Sequence, residues 1–232
     1  MLRRLILWDI DGTLLTAGSS GRLALERGAA VAAGLDRVPH VVMGGKTDPQ
    51  IVRDILTLAG VPAAEIDAAM PRALAEAERF LAGEADAMRA EGRVHPGVRE
   101  LLDELGTTDG VRQTVLTGNI APNAVLKART FDLDRHLDFE IGAYGTDHEE
   151  RDQLVPVALR RARELRGEEY TADEVWVVGD TANDARCARA GGVRCLVVGT
   201  GHAGFGAVAG VEADALLENL ADTAQVRKIL LG

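Results

Sequence analysis

The chain is poor in cysteine, poor in lysine and free of long apolar stretches, and each shortage narrows what it can be. Only Cys187 and Cys195 are present. Two thiols without ligand spacing exclude a disulfide framework and a cysteine zinc site, and fit buried thiols in a reducing compartment. No apolar run approaches the length of a membrane span. The N-terminal Met1-Leu2-Arg3-Arg4 resembles the start of a signal peptide, but the apolar residues after it stop at Asp9. That is too short for the hydrophobic part of a leader, so the segment reads as a first strand and a cytoplasmic location is expected. Basic charge is also scarce: 26 Lys and Arg face 36 Asp and Glu, a net charge of -10. Nucleic acid and anionic membrane surfaces are therefore not expected partners, and an anionic substrate would need local compensation. There are no internal repeats or low-complexity linkers.

What is present is a soluble-protein composition, 47% hydrophobic and 27% charged over 232 residues. That length holds one large core, or a core with a small accessory domain. Apolar or β-rich runs at Leu5 to Trp8, Gln113 to Leu116, Phe139 to Ala143, Val175 to Val178 and Cys195 to Val198 alternate with helical patterns. The alternation predicts an α/β fold, a Rossmann-like parallel sheet with helices on both faces. Ligands gather at the carboxyl ends of such strands, where Asp9, Thr117 and Asp180 fall.

One interval departs from the alternation. Residues 16–92 are Ala-rich with helical periodicity, notably Gln50 to Leu58 and Arg72 to Met88, and some eighty residues exceed what a crossover needs. They read as an inserted helical subdomain, leaving 1–15 and 93–232 as the α/β core, with hinges at Thr16 to Gly21 and Glu91 to Pro96. Asp48 reads as the N-cap of the first of these helices, Pro49 as its first residue and Gly60 as its stop. Asp152 reads as the cap of a core helix whose first turn tolerates Pro156. Thr181 to Ala190, closed by Gly191-Gly192, and Asp222 to Leu231 complete the helices.

The chemistry concentrates in Asp9-Ile10-Asp11-Gly12-Thr13-Leu14. Side chains on a strand have period two, so Asp9 and Asp11 leave the strand end on one side before the glycine turns the chain. Such a pair can supply a nucleophile, an acid/base and a metal ligand. Thr114-Val115-Leu116-Thr117-Gly118-Asn119 ends another strand with a hydroxyl. Val175-Trp176-Val177-Val178-Gly179-Asp180-Thr181-Ala182-Asn183-Asp184 delivers two more aspartates from a third, and Arg151 precedes a helix between them.

In this order the four segments resemble the motifs of the haloacid dehalogenase-like superfamily, over residues 9 to 184. The third is atypical: the family usually places a lysine where this chain has Arg151. The resemblance, nearest to the phosphoglycolate phosphatase branch with a helical cap, implies a Mg²⁺-dependent phosphatase that works through an aspartyl-phosphate on Asp9. Asp11 would serve as general acid and base. The second aspartate favours phosphoryl chemistry, since the dehalogenase branch typically lacks it. Asp180 and Asp184 would join Asp9 and the main-chain carbonyl of Asp11 around the metal, Asp184 directly or through water. Thr117 with the amides of Gly118, Asn119 and Gly12 would bind phosphoryl oxygens. Arg151 is assigned the charge-neutralising role, with Lys127 as rival; the chain's other lysines are Lys46 and Lys228. Lys127 alone reads as an exposed helical lysine. Lys46 and Thr47, in the glycine-containing loop Gly44 to Asp48, are candidates for a substrate-reading loop. His40 and His95 read as structural and His148 as a weak substrate contact.

The substrate expected is a small phosphorylated metabolite, and the assembly a monomer or small homo-oligomer. Two alternatives stay open: a phosphomutase of the same superfamily, and a phosphometabolite-binding regulator without turnover.

Overall fold

The computed structural model describes residues 2–232. Its centre is a five-stranded sheet of β1 (Arg4–Trp8), β4 (Val111–Val115), β5 (Val175–Gly179), β6 (Arg194–Val198) and β7 (Ala215–Leu217), in the order β4-β1-β5-β6-β7. Every neighbouring pair is parallel. Parallel strands need crossovers, and these bring helices onto both faces. Alternate residues of β1 therefore enter different cores, Ile6 and Trp8 one and Leu5 and Leu7 the other, all with no exposed surface. On the first face lie α5 (Val98–Gly106), α6 (Ala121–Thr130) and α10 (Thr223–Leu231). On the second lie α7 (Leu154–Arg166) and α8 (Ala182–Ala190). A short α9 (Phe205–Val208) follows β6. No helix among the described residues is long and apolar enough to cross a membrane.

A helical lobe leaves this core after β1. Two short strands, β2 (Leu15–Thr16) and β3 (Arg93–Val94), pair antiparallel at its neck. Between them run α1 (Ser20–Ala33), α2 (Asp48–Leu58), α3 (Ala63–Ala82) and α4 (Ala85–Glu91). Small buried residues, Ala24 and Ala29 on α1 with Ala73 and Ala77 on α3, allow close approach of those two helices.

The sequence reading needs five corrections. Phe139 to Ala143 is not a strand: Asp138 donates its amide to Gln113 O and Ala143 bridges Val115 and Thr117, but Phe139–Ile141 between them turns as a 3₁₀ helix. Arg112 and Arg166 grip Asp138 there, and the Tyr144 hydroxyl donates to Phe139 O, so the segment touches the sheet edge only at its ends. Ala215–Leu217, half-buried and three residues long, supplies the fifth strand instead. The periodic run from Arg72 to Met88 is broken at Gly83-Glu84 into α3 and α4. The N-cap of α2 is Thr47, whose hydroxyl accepts from Gln50 N while Gln50 reaches back to Thr47 N. This reciprocal capping box places Asp48 inside the helix. Finally, Asp152 does not cap α7: a 3₁₀ turn, Arg151–Gln153, precedes it with Gln153 at the cap, and Asp152 accepts from Arg186. Pro156 still falls in the first turn.

Candidate active site

Strands β1, β4 and β5 deliver their next residues to one end of the sheet. Asp9 N donates to Val178 O and Leu116 N to Trp8 O, so the three strand ends are in step. Asp9, Asp180 and Asp184 converge there, each offering one carboxylate oxygen within 4.8 Å of the others, and all three are buried. Gly12 makes the turn after Asp11 at φ +86°, a region that disfavours side chains, and a Cβ on it would stand 2.4 Å from Asp180 Oδ2. Only glycine brings this loop so close to the carboxylate.

Crowding shows in the titration of the acids. Burial, with the charges of Asp9 and Asp184, pushes Asp180 up to about 9. Burial raises Asp9 to about 6 against the pull of Arg151, with Asp184 and Asp11 adding to the rise. Such groups resist ionising together unless a cation joins them. Arg151 supplies one positive charge: its side chain is 2% exposed, and its Nη2 contacts Asp184 Oδ1 and lies 3.2 Å from Asp9 Oδ1. One guanidinium against three carboxylates leaves an excess of negative charge. The donors are all hard oxygens, so the set fits a divalent ion such as Mg²⁺. Both oxygens of Asp184 are already engaged, Oδ1 by Arg151 and Oδ2 by Thr181 N and Oγ1 at 3.0 and 2.7 Å. The hydroxyl of Thr13 donates to Asp180 Oδ1 at 3.2 Å. Arg151 Nε is buried and has no hydrogen-bond partner among the described residues.

The second cation was not legible as such. Lys127 is not exposed: it is 4% exposed, and its Nζ donates to Asp11 Oδ2 and to Asn119 Oδ1, both at 2.6 Å. Asn119 Nδ2 also donates to Asp11 Oδ2, at 2.8 Å, and to Thr117 Oγ1. Asp11 is thus held by one oxygen, while its side chain remains 43% exposed. The sequence offers Lys127 as the rival to Arg151, eight residues past Asn119 on α6, where it reads as exposed.

The remaining candidates fall as follows. Thr117 is fully buried and its Oγ1 accepts from Asn119, which leaves its own O–H free to donate. The amide of Gly118 finds no acceptor among the described residues. The amide of Gly12 donates to Leu15 O at 2.8 Å inside the tight loop after β1, which engages the donor expected for a phosphoryl oxygen. The main-chain amide of Asn119 donates to Thr117 Oγ1 at 3.3 Å, and its side chain bonds Thr117, Asp11 and Lys127. In the lobe, Lys46 Nζ pairs with Asp54 at 2.6 Å, and the Thr47 hydroxyl donates to Glu149 O while capping α2. Both side chains are committed away from the acidic cluster. His95 bonds Thr16, His40 bonds Glu26, and His148 accepts from Glu150 N without joining the site.

Known proteins resemble this arrangement in sequence and in fold. A phosphoglycolate phosphatase of Pseudomonas putida is 30% identical over 209 residues, 87% of this chain and 71% of the relative. The tyrosine-protein kinase PtkA of Mycobacterium tuberculosis is 30% identical over 207 residues, 86% of this chain, and the match spans 63% of that longer protein. In structure, a hydrolase from Pseudomonas syringae superposes over 100% of both chains with a TM-score of 0.71 at 17% identity. The family model described as haloacid dehalogenase-like hydrolase matches residues 6–189, which include every strand-end acid of the site. The chain belongs to the haloacid dehalogenase-like hydrolases.

Proposed function

We propose that this chain is a Mg²⁺-dependent phosphatase of small phosphorylated metabolites, working through an aspartyl-phosphate on Asp9, with residues 16–92 acting as a cap over the site. The observation that carries this reading is the pairing of a buried Asp9, held by Arg151, with an Asp11 that keeps one oxygen free two residues later. The name of the Pseudomonas putida relative supports a small phosphorylated acid as the substrate class.

Each residue then has a defined task. Asp9 attacks phosphorus and forms the acyl phosphate as the bond to the leaving alcohol breaks. Asp11 gives that alcohol its proton, then takes one from the water that attacks the acyl phosphate and frees Asp9. Arg151 offsets the charge of Asp9 and offers its unpaired Nε to a phosphoryl oxygen. The Thr117 hydroxyl and the Gly118 amide hold the other oxygens. Asp9, Asp180, Asp184 and the Asp11 carbonyl would hold the ion, Asp184 directly or through water. When bound, Mg²⁺ supplies charge neutralisation at the phosphoryl group. The lobe excludes water from the closed site.

The test is phosphate release from a panel of phosphorylated acids and sugars, with Mg²⁺ and with chelator. Inorganic phosphate that depends on Mg²⁺ supports the reading. A positional isomer of a sugar phosphate would mean a mutase, and no turnover on any member would mean a binding protein.

A further inference from the structure

The helical lobe is tied to the core through Asp48. This side chain is 6% exposed, although it is the first residue of α2. Thr47 and Gln50 already cap that helix, so α2 has no need of a buried carboxylate. The partner of Asp48 belongs to the core. Its Oδ2 accepts from Ile120 N at 2.8 Å, and its own amide donates to Gly118 O at 2.7 Å. Ile120 is the residue before α6, a helix with no side-chain cap of its own. A carboxylate from the lobe therefore satisfies an orphan amide at the start of a core helix, where it also complements the helix dipole.

That helix carries Lys127 near its end, and Lys127 holds Asp11. The lobe also lies close to this lysine: a Cβ on Gly21, in the first turn of α1, would lie 3.2 Å from Lys127 Nζ. Glycine there leaves the ammonium its space. Burial raises Asp48 to about 6 while the Lys127 charge opposes the rise, so the lobe carboxylate lies within the field of that lysine. Both lobe contacts thus converge on one core unit, α6 with Lys127 and Asp11.

We propose that Asp48 is a positioning residue: when the helical lobe is docked, its carboxylate seats the start of α6 and so holds Lys127 against Asp11 for proton transfer to the leaving group. Closure and acid catalysis are then one event, and an undocked lobe leaves the acid loosely placed. The inference rests on the phosphatase reading, in which Asp11 protonates the alcohol.

Leaving groups of different acidity test it. An alkyl phosphate needs a proton on its departing oxygen, whereas p-nitrophenyl phosphate has a leaving group stable without one. The two are compared as kcat/KM, which reads the first phosphoryl transfer. Asp48→Ala is expected to lose tenfold or more on glycolate phosphate and less than threefold on p-nitrophenyl phosphate. Asp48→Asn, whose amide oxygen can still accept from Ile120 N, is expected to recover most of the loss. Should Asp48→Ala fail to fold, Gly21→Ala, which presses a methyl group on Lys127, is expected to show the same selective loss. An equal loss on both substrates, no loss, or an Asp48→Asn as poor as Asp48→Ala would overturn the inference while the phosphatase reading stands. A wild-type protein inert toward both substrates would overturn both.

Discussion

Removing the Arg151 guanidinium is the perturbation whose size the structure constrains best. The side chain is 2% exposed and its Nη2 lies 3.2 Å from Asp9 Oδ1. Coulomb attraction at that distance is about 5 kcal/mol at an effective dielectric near 20, before desolvation is subtracted. Loss of one preorganised electrostatic partner in comparable sites costs about 2–4 kcal/mol of transition-state stabilisation. Arg151→Ala should therefore lower kcat/KM for phosphate release by about 30- to 900-fold. Arg151→Lys separates charge from shape: partial recovery means that a cation suffices, and none means that the guanidinium must contact both carboxylates at once. Unfolding by denaturant, measured alongside, separates lost chemistry from lost fold. An Arg151→Ala protein within threefold of wild type, beside a Lys127→Ala protein nearly inactive, would refute the reasoning and give the core charge role to Lys127.

Three further outcomes follow from the same cluster. Asp9→Asn should lower turnover by about a thousandfold or more, yet melt no lower than wild type, because it deletes a buried charge that its neighbours oppose; normal turnover would exclude the covalent step. Chelation of divalent ions should abolish phosphate release and added Mg²⁺ should restore it, while circular dichroism shows the chelated protein still folded. The chelated protein should also lose stability with rising pH between about 4 and 9. In that range the folded state holds protons on Asp180, raised to about 9, and on Asp9, raised to about 6, that the unfolded chain has released. A melting temperature in chelator that is higher at pH 8.5 than at pH 6 would contradict this sign.

Much of the fold follows from local pattern. The runs ending at Trp8, Val115 and Val178 are strands because they are short, apolar and followed by turn residues, and period two then fixes where Asp9 and Asp11 emerge. The failures share a cause. Phe139 to Ala143 has strand composition, and what breaks it is Asp138, drawn into bonds with Arg112 and Arg166 from elsewhere in the chain. Ala215–Leu217 becomes a strand because β6 offers it an edge: Gly199 N donates to Leu217 O, and the pair registers from Leu196 to Val198. Neither event is visible in a window of neighbours.

The site divides along the same line. Acids at strand ends are legible because one strand places each of them. Arg151 could be singled out because lysines are so few. Lys127 enters only as its rival and reads as exposed, since on its helix alone it is one more polar residue; its burial comes from the way α6 brings its Nζ to Asp11 across more than a hundred residues. The two cations divide the acids between them. Arg151 serves Asp9 and Asp184 together from one nitrogen, Nη2, whereas the compact ammonium of Lys127 fits the narrow space beside Gly21 and serves Asp11. Asp9 and Asp11 thus have separate counter-charges, Arg151 in the core and Lys127 on α6 beside the lobe. On the proposed reading, that separation lets the core keep Asp9 paired whatever the lobe does, while the setting of Asp11 depends on whether the lobe is docked.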